Sequence, residues 1–263
     1  MAVLQVIGGG RMGEALVGGL LQAGGIEAGD VRVVEPVEAR RHALADLLPG
    51  VVLATDPAAS DGTVLAVKPG DVPAACRAVA AAGSGRVLSI AAGVTLATLE
   101  AALAEGTPVV RAMPNTPALV GQGAAAIAPG RSATDEDLAW AESLLGAVGT
   151  VVRVKEPLLD AVTGLSGSGP AYVFLVAEAL TDAGVLAGLP RDVSHQLTVQ
   201  TLLGAATLLA EGNDGPEALR AAVTSPGGTT AAGLRALERH GVRAAFLEAV
   251  ADATERSRQL GAG

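Results

Sequence analysis

Two halves of different construction are predicted: an α/β, doubly wound sheet over residues 1–155 and an all-helical unit over residues 156–263. Three observations carry this division. Short apolar runs alternate with helical patterns of 8–14 residues as far as about residue 155, which is the pattern of a parallel sheet flanked by helices. Beyond Glu156-Pro157 no convincing strand follows, and Gly or Pro punctuates a series of helices instead. The first apolar run also passes straight into a glycine turn that opens a helix.

That first run, Ala2–Ile7, fits a buried strand broken only by Gln5. Gly8-Gly9-Gly10-Arg11-Met12-Gly13 follows, and then a helix with Leu16, Val17, Leu20 and Leu21 on one side. Strand, Gly-x-Gly-x-x-Gly and helix in this order place a dinucleotide pyrophosphate on a helix N-terminus. Gly8 allows the tight turn, Gly10 lets backbone approach the phosphates, and Gly13 lets helix and strand pack closely. Val31–Val34 is a second strand, and Glu35 at its end suits the hydroxyls of an adenosine ribose, which favours NAD. Arg40 and Arg41 on the helix after Pro36 suit a 2′-phosphate instead, so NADP(H) and NAD(H) both stay open.

Further strands are expected at Val51–Leu53, Thr63–Val67, Val87–Ile90 and from Val109-Val110, then at Gly123–Ile127 and Thr150–Val154. Thr134 caps a helix over Asp135–Leu145. In doubly wound sheets ligands bind beyond the carboxyl ends of the strands. Those ends carry the glycine loop, Glu35, Ala66-Val67-Lys68-Pro69, Ala92-Gly93 and Met113–Pro117, so unusual residues cluster at one edge. Lys68 is placed to lie beside cofactor phosphates or ribose, and Asn115, between two prolines, to offer its amide to a nicotinamide carboxamide.

Composition narrows the function classes. Half of the 263 residues are apolar but only 2% are aromatic, so a sizeable core is built from Ala, Val and Leu. A formal charge of −9 argues against nucleic-acid or anionic-membrane partners. No run reaches the ~18 uninterrupted apolar residues of a membrane span, and no export signal is visible, so a cytoplasmic protein is expected. Cys76 stands alone as a small apolar residue of a helix, and His42, His195 and His240 lack ligand spacing, so no metal is expected.

In the second half, helices are expected at 157–164, 169–187, 191–211, 216–222, 227–239 and 242–260. The stretch Gln196–Ala210 is apolar nearly all round, which requires burial on every side and points to a partner subunit. Ser166–Tyr172 is a small-residue turn opening a long helix. In Val223–Thr230, Ser225 fits an N-cap and Pro226 the first helical position. Gly227 and Gly228 then expose bare amides, and Thr229 and Thr230 add hydroxyls, which together suit a small carboxylate.

At Gly8–Gly13, Ala66–Pro69, Ala91–Val94, Arg111–Pro117, Ser166–Tyr172 and Val223–Thr230, taken in order, the chain resembles the pyrroline-5-carboxylate reductase family. The resemblance implies hydride transfer from NADPH or NADH to the imine carbon of 1-pyrroline-5-carboxylate, giving L-proline. It also implies a homodimer through interleaved C-terminal helices, with rings of dimers in some members. Ser225, Gly227, Gly228, Thr229 and Thr230 would then hold the substrate, with Thr230 at its ring nitrogen. Two positions depart from the family pattern: Arg11 stands where Asn is frequent, and Asn213 where some relatives carry an acid. A β-hydroxyacid dehydrogenase is the nearest rival, but the chain has no lysine after Lys155 to move its proton. A non-catalytic NAD(P)-sensing dimer would have no use for Ser225–Thr230.

Overall fold

The computed structural model describes residues 2–261; Met1 and residues 262–263, the outer ends of the two expected halves, lie outside them. Eight strands form one sheet: β1 (Ala2–Ile7), β2 (Val31–Val34), β3 (Val52–Ala54), β4 (Ser60–Leu65), β5 (Val87–Ser89), β6 (Val109–Met113), β7 (Gly123–Pro129) and β8 (Gly149–Arg153). Their order is β3-β2-β1-β4-β5-β6-β7-β8. The direction of winding therefore reverses between β1 and β4, and the crevice at such a point is where α/β sheets bind ligands.

The helices of this part are α1 (Arg11–Gln22), α2 (Glu38–Leu47), α3 (Val72–Ala82), α4 (Leu96–Ala102) and α5 (Asp135–Gly146). Alternate strand residues serve opposite helix layers, as the period of two requires. Leu4, Val6, Val64, Leu88 and Val110 pack with Leu16, Val17 and Leu20 of α1. Ile7, Leu65, Val87 and Val109 pack with Val72, Cys76 and Val79 of α3 and with Leu99 of α4. Burial pushes the Cys76 thiol up to about 11, so it stays a protonated apolar filler. Gln5 is fully buried yet satisfied: its Nε2 donates to Thr63 Oγ1 at 3.4 Å and its Oε1 accepts from Ala58 N at 2.8 Å.

Two differences from the sequence expectation have clear causes. Strand β7 runs antiparallel to β6, pairing Val110 with Pro129 and Met113 with Ala126. The connection at 114–122 holds only a short 3-10 turn, Thr116–Val120, and a parallel return needs a crossover of a dozen or more residues. Strand β4 covers Ser60–Leu65 rather than Thr63–Val67, so Ala66–Lys68 is loop and Pro69 opens a 3-10 turn. The last rung there is Ala66 N to Ile7 O at 2.8 Å, beyond which the turn at Gly8 carries β1 away.

After β8 the chain is helical: α6 (Leu159–Val162), α7 (Gly169–Leu186), α8 (Arg191–Glu211), α9 (Pro216–Ala222), α10 (Thr229–Arg239) and α11 (Val242–Gly261). A single π-helical turn, Thr163–Gly167, joins α6 to α7, with Ser168 N donating to Thr163 O at 2.8 Å. The chain forms two compact units, Met1–Ser168 with Ala251–Gly263, and Gly169–Val250. The division falls later than the change of pattern near 155, and the last turns of α11 group with the sheet. Ser257 Oγ donates to Asp160 Oδ1 at 2.7 Å within that first unit.

The second unit turns its apolar side chains outward. Helices α7 and α8 meet where Ser194 Oγ, which donates to Thr181 O at 2.7 Å, fills the space beside Gly184. Small and polar residues (Thr181, Ser194 and Thr198) are the buried ones on this helix pair. Phe174, Leu175, Leu197, Leu203 and Leu208 are more than half exposed. One helical run among the described residues, Glu156–Leu186, is long and apolar enough to cross a membrane by length and composition, where none was expected.

Candidate active site

The site in the first unit is built around the turn from β1 into α1. Gly8 has φ +104°, and a Cβ there would stand 2.6 Å from Ala66 O, so only glycine serves. A Cβ on Gly13 would stand 2.2 Å from Gly8 O, which is the close helix–strand packing expected of the third motif glycine. Gly10 differs: no atom lies within 4 Å of its Cβ position. It is the N-cap of α1, has no side chain to bond, and is exposed. Bare amides at a helix start facing open space fit a pyrophosphate. Arg11 is exposed beside it, and Met12 is half-buried against the core.

Glu35 sits where expected, at the end of β2, but its carboxylate faces the glycine loop. Oε2 accepts from Gly9 N at 3.0 Å and Oε1 from Val37 N at 2.9 Å, and the residue is buried. Arg41 Nη1 donates to Glu35 O and Pro36 O, each at 2.8 Å. Arg40 Nε donates to Gly9 O at 2.6 Å, and Arg40 Nη2 bonds Glu14 of α1. Arg40 and Glu14 thus belong to the loop's support, and a helix-face Arg–Glu pair from separate helices leaves no local mark in sequence.

Ala66 and Val67 lie half-buried at the same edge, followed by exposed Lys68 and Pro69, and Ala92-Gly93 forms a turn within the loop after β5. These loops and the last turns of α11 enclose a cavity of about 560 Å³ lined by Pro69, Gly70, Ala92, Gly93, Arg256 and Leu260, among others. Asn115 is committed elsewhere than expected. Its Nδ2 donates to Ser166 O at 3.0 Å and its Oδ1 accepts from Ala124 N at 2.8 Å. The amide ties β7 and the π turn together, and only its second N–H is left for a ligand. Met113 lies against Gly167, where a Cβ would come within 2.7 Å of its Cε.

Ser225–Thr230 belongs to the second unit. Ser225 is not an N-cap: α10 starts at Thr229 and Gly228 caps it without a side-chain bond. Ser225–Gly228 is instead a β-turn closed by Gly228 N to Ser225 O at 3.0 Å, with Pro226 second and Gly227 third at φ +72°. That is a type II turn, whose third position calls for glycine. The first-turn amides of α10 still lack intrahelical acceptors, as at any helix start, with the Thr229 and Thr230 hydroxyls beside them. Ser225 and Gly227 are exposed, and Gly228 and Thr230 are half-buried.

Residues 156–260 match the family model described as pyrroline-5-carboxylate reductase dimerisation, and residues 3–93 that described as NADP oxidoreductase, coenzyme F420-dependent. A pyrroline-5-carboxylate reductase of Methanosarcina acetivorans is 46% identical over 261 residues, covering 97% of this chain and 96% of that protein. The chain belongs to the pyrroline-5-carboxylate reductase family. Solved structures agree: the Coxiella burnetii pyrroline-5-carboxylate reductase has a TM-score of 0.93 at 35% identity, covering 98% of each chain. The Plasmodium falciparum pyrroline carboxylate reductase, with NADP bound, has a TM-score of 0.83 at 29% identity, covering 98% of this chain and 97% of that one. The run Glu156–Leu186 thus lies in the reductase dimerisation segment.

The two motif glycines predict opposite outcomes. In Gly13→Ala the helix preference of alanine, worth roughly 1 kcal/mol, is outweighed by overpacking against rigid backbone, which costs about 3 kcal/mol, so stability falls by about 2 kcal/mol. In Gly10→Ala stability is kept, because the added methyl meets open space, while dinucleotide binding is lost. Urea unfolding and cofactor titration of both variants check this.

Proposed function

We propose that the chain reduces 1-pyrroline-5-carboxylate to L-proline, with NADPH or NADH as hydride donor. The observation that carries this is kinship along the whole chain, 97% of it covered at 46% identity by a relative of that name. When bound, a reduced nicotinamide cofactor would supply a hydride for the new C–H bond at the imine carbon, the C=N π pair going to nitrogen. The chain's own residues position the partners. Gly8, Gly10, Arg11, Met12 and Gly13 receive the pyrophosphate at the start of α1, with Glu35 at the ribose end. Ala66, Val67, Lys68, Pro69, Ala92, Gly93 and Asn115 border the nicotinamide half.

Ser225, Gly227, Gly228, Thr229 and Thr230 form the substrate clasp. The amides at the head of α10 hold the carboxylate, and holding a small rigid ring by several backbone donors sets its face toward the hydride. Thr230 bonds the ring nitrogen. When the substrate binds as its iminium ion the proton is already in place, so no strong general acid is needed. That suits a clasp without His or Lys.

NADP(H) is the favoured cofactor. Both Glu35 oxygens already accept from backbone amides, whereas the Arg41 fork is held at the end of β2 by only one of its nitrogens. The NADP of the Plasmodium falciparum relative supports the same reading. The active form is a homodimer, in which the outward-facing residues of α7 and α8 pack against a second copy, and dimers can assemble further into rings. This gives the apolar faces protein contact in a soluble, cytoplasmic enzyme. Thr230 is then contributed by the neighbouring subunit.

Purified protein given pyrroline-5-carboxylate and NADPH should consume NADPH absorbance and yield proline; no turnover with either cofactor refutes the assignment. Thr230→Ala should lower kcat/KM roughly 10- to 100-fold, as for loss of a hydrogen bond to a charged group, with cofactor affinity unchanged, and an equal loss of cofactor binding would contradict its role. Leu203 is 59% exposed in the single chain. A substitution at such a site shifts an isolated fold by less than about 0.5 kcal/mol. Leu203→Arg should therefore act through assembly, shifting sedimentation to monomer and abolishing turnover while the sheet unit stays folded.

A further inference from the structure

Two successive peptide units of the glycine loop are each gripped by a charged side chain from outside the loop. The Gly8–Gly9 unit is held at its N–H end by Glu35 Oε2, which accepts from Gly9 N at 3.0 Å. The Gly9–Gly10 unit is held at its C=O end by Arg40 Nε, which donates to Gly9 O at 2.6 Å. A trans peptide is planar, and its C=O and N–H point in opposite directions. Fixing Gly9 O on Arg40 therefore turns the Gly10 N–H away from α2. Gly10 itself has no neighbour within 4 Å of its Cβ position, so that side of the loop is open.

We propose that Arg40 is a positioning residue that sets the orientation of the Gly9–Gly10 peptide and so aims the Gly10 amide at the cofactor pyrophosphate. This rests on the reading of Gly8–Gly13 as the dinucleotide loop. Glycines on both sides leave this peptide free to rotate, because neither flank has a Cβ to restrict it. Turned over, the unit would present its carbonyl oxygen to an anion. Arg40 opposes this with a charge-assisted bond. Glu14 in the first turn of α1 holds the other arm of the guanidinium, so the grip is referenced to the helix that the phosphates meet. Leu44 closes the same loop sterically, lying 2.4 Å from where a Gly9 Cβ would stand. Glu35 is the matching clamp on the preceding unit, where it accepts from Gly9 N.

The role predicts a pattern across ligands. Because the pyrophosphate is common to them, Arg40→Ala should weaken NADPH, NADH and ADP by similar factors, roughly tenfold or more, as expected for losing a charge-assisted bond. Turnover at saturating cofactor should change less than about threefold, since the loop does not touch the substrate. Arg40→Lys should recover part of the affinity, because an ammonium reaches Gly9 O but cannot fork to Glu14 as well. Isothermal titration and steady-state kinetics on the intact dimer give both readouts. A loss confined to NADPH would show that Arg40 binds the 2′-phosphate directly and would overturn the proposal, as would unchanged affinity for all three ligands. Should Arg40→Ala fail to fold, Glu14→Gln loosens the same guanidinium from its far side, and a parallel smaller loss for all three ligands is expected; no loss overturns the proposal. Wild-type protein that binds no dinucleotide would instead refute the loop assignment.

Discussion

The approach of α1 to the end of β1 is the constraint from which the first unit follows. A hydrogen atom is all that fits between Gly13 and the Gly8 carbonyl, since a Cβ would stand 2.2 Å from that oxygen. With no side chain there, the first turn of α1 comes down onto the strand end, and its free amides arrive at the reversal between β1 and β4. The same approach buries Leu16, Val17 and Leu20 against Leu4 and Val6, so the core that holds the helix and the site that uses its terminus are set together. Glu35 and Arg40 then stabilise a loop whose glycines would otherwise leave it free to move. Permissive backbone allows the geometry, and charged side chains select one conformation of it.

The helical unit follows a different logic. Its α7–α8 contact is made by small and polar residues, with Ser194 filling the space beside Gly184, while leucines, valines and Phe174 face out. Burial of apolar surface is the main favourable term in folding, so such a pair is poorly stabilised by its own interior. Outward-facing large apolar residues in this number mark an interaction surface, which agrees with the dimerisation segment matched over the same residues. Stability and assembly are therefore coupled in this half of the chain.

Much of this was legible in the sequence where one residue type is compelled by backbone or periodicity. The strand–glycine–helix order located the turn, and the near-uniform apolarity of α8 marked a helix that needs a covering. The failures have specific causes. Ser225-Pro226 suits both an N-cap followed by N1 and the first half of a type II turn, and only the φ of +72° at Gly227 separates them. The antiparallel β7 follows from a connection too short for a crossover, a length that strand-by-strand reading does not weigh. The position of Asn115 between prolines at a strand end says nothing of Ser166 and Ala124, the partners that take up most of its amide, because they meet it only through tertiary packing. Arg40 was visible only as one of two arginines on a helix face, because what it grips lies some thirty residues earlier in the chain.

A chain of net charge −9 that binds an anionic dinucleotide poses an electrostatic question, and the loop answers it locally. At physiological ionic strength charges are screened over about 8 Å, so distant carboxylates contribute little at the head of α1. The head of α1 itself offers unpaired amides and a positive dipole end, with Arg11 beside them and Arg41 at the end of β2. Glu14 and Glu35, the acids nearest to the loop, are turned to other uses: one holds Arg40 and the other accepts from Gly9 and Val37. Each carboxylate is thereby satisfied by a donor on the protein side of the loop. The acids near the loop thus support its donors, which lets an acidic protein keep a cationic face at the head of α1.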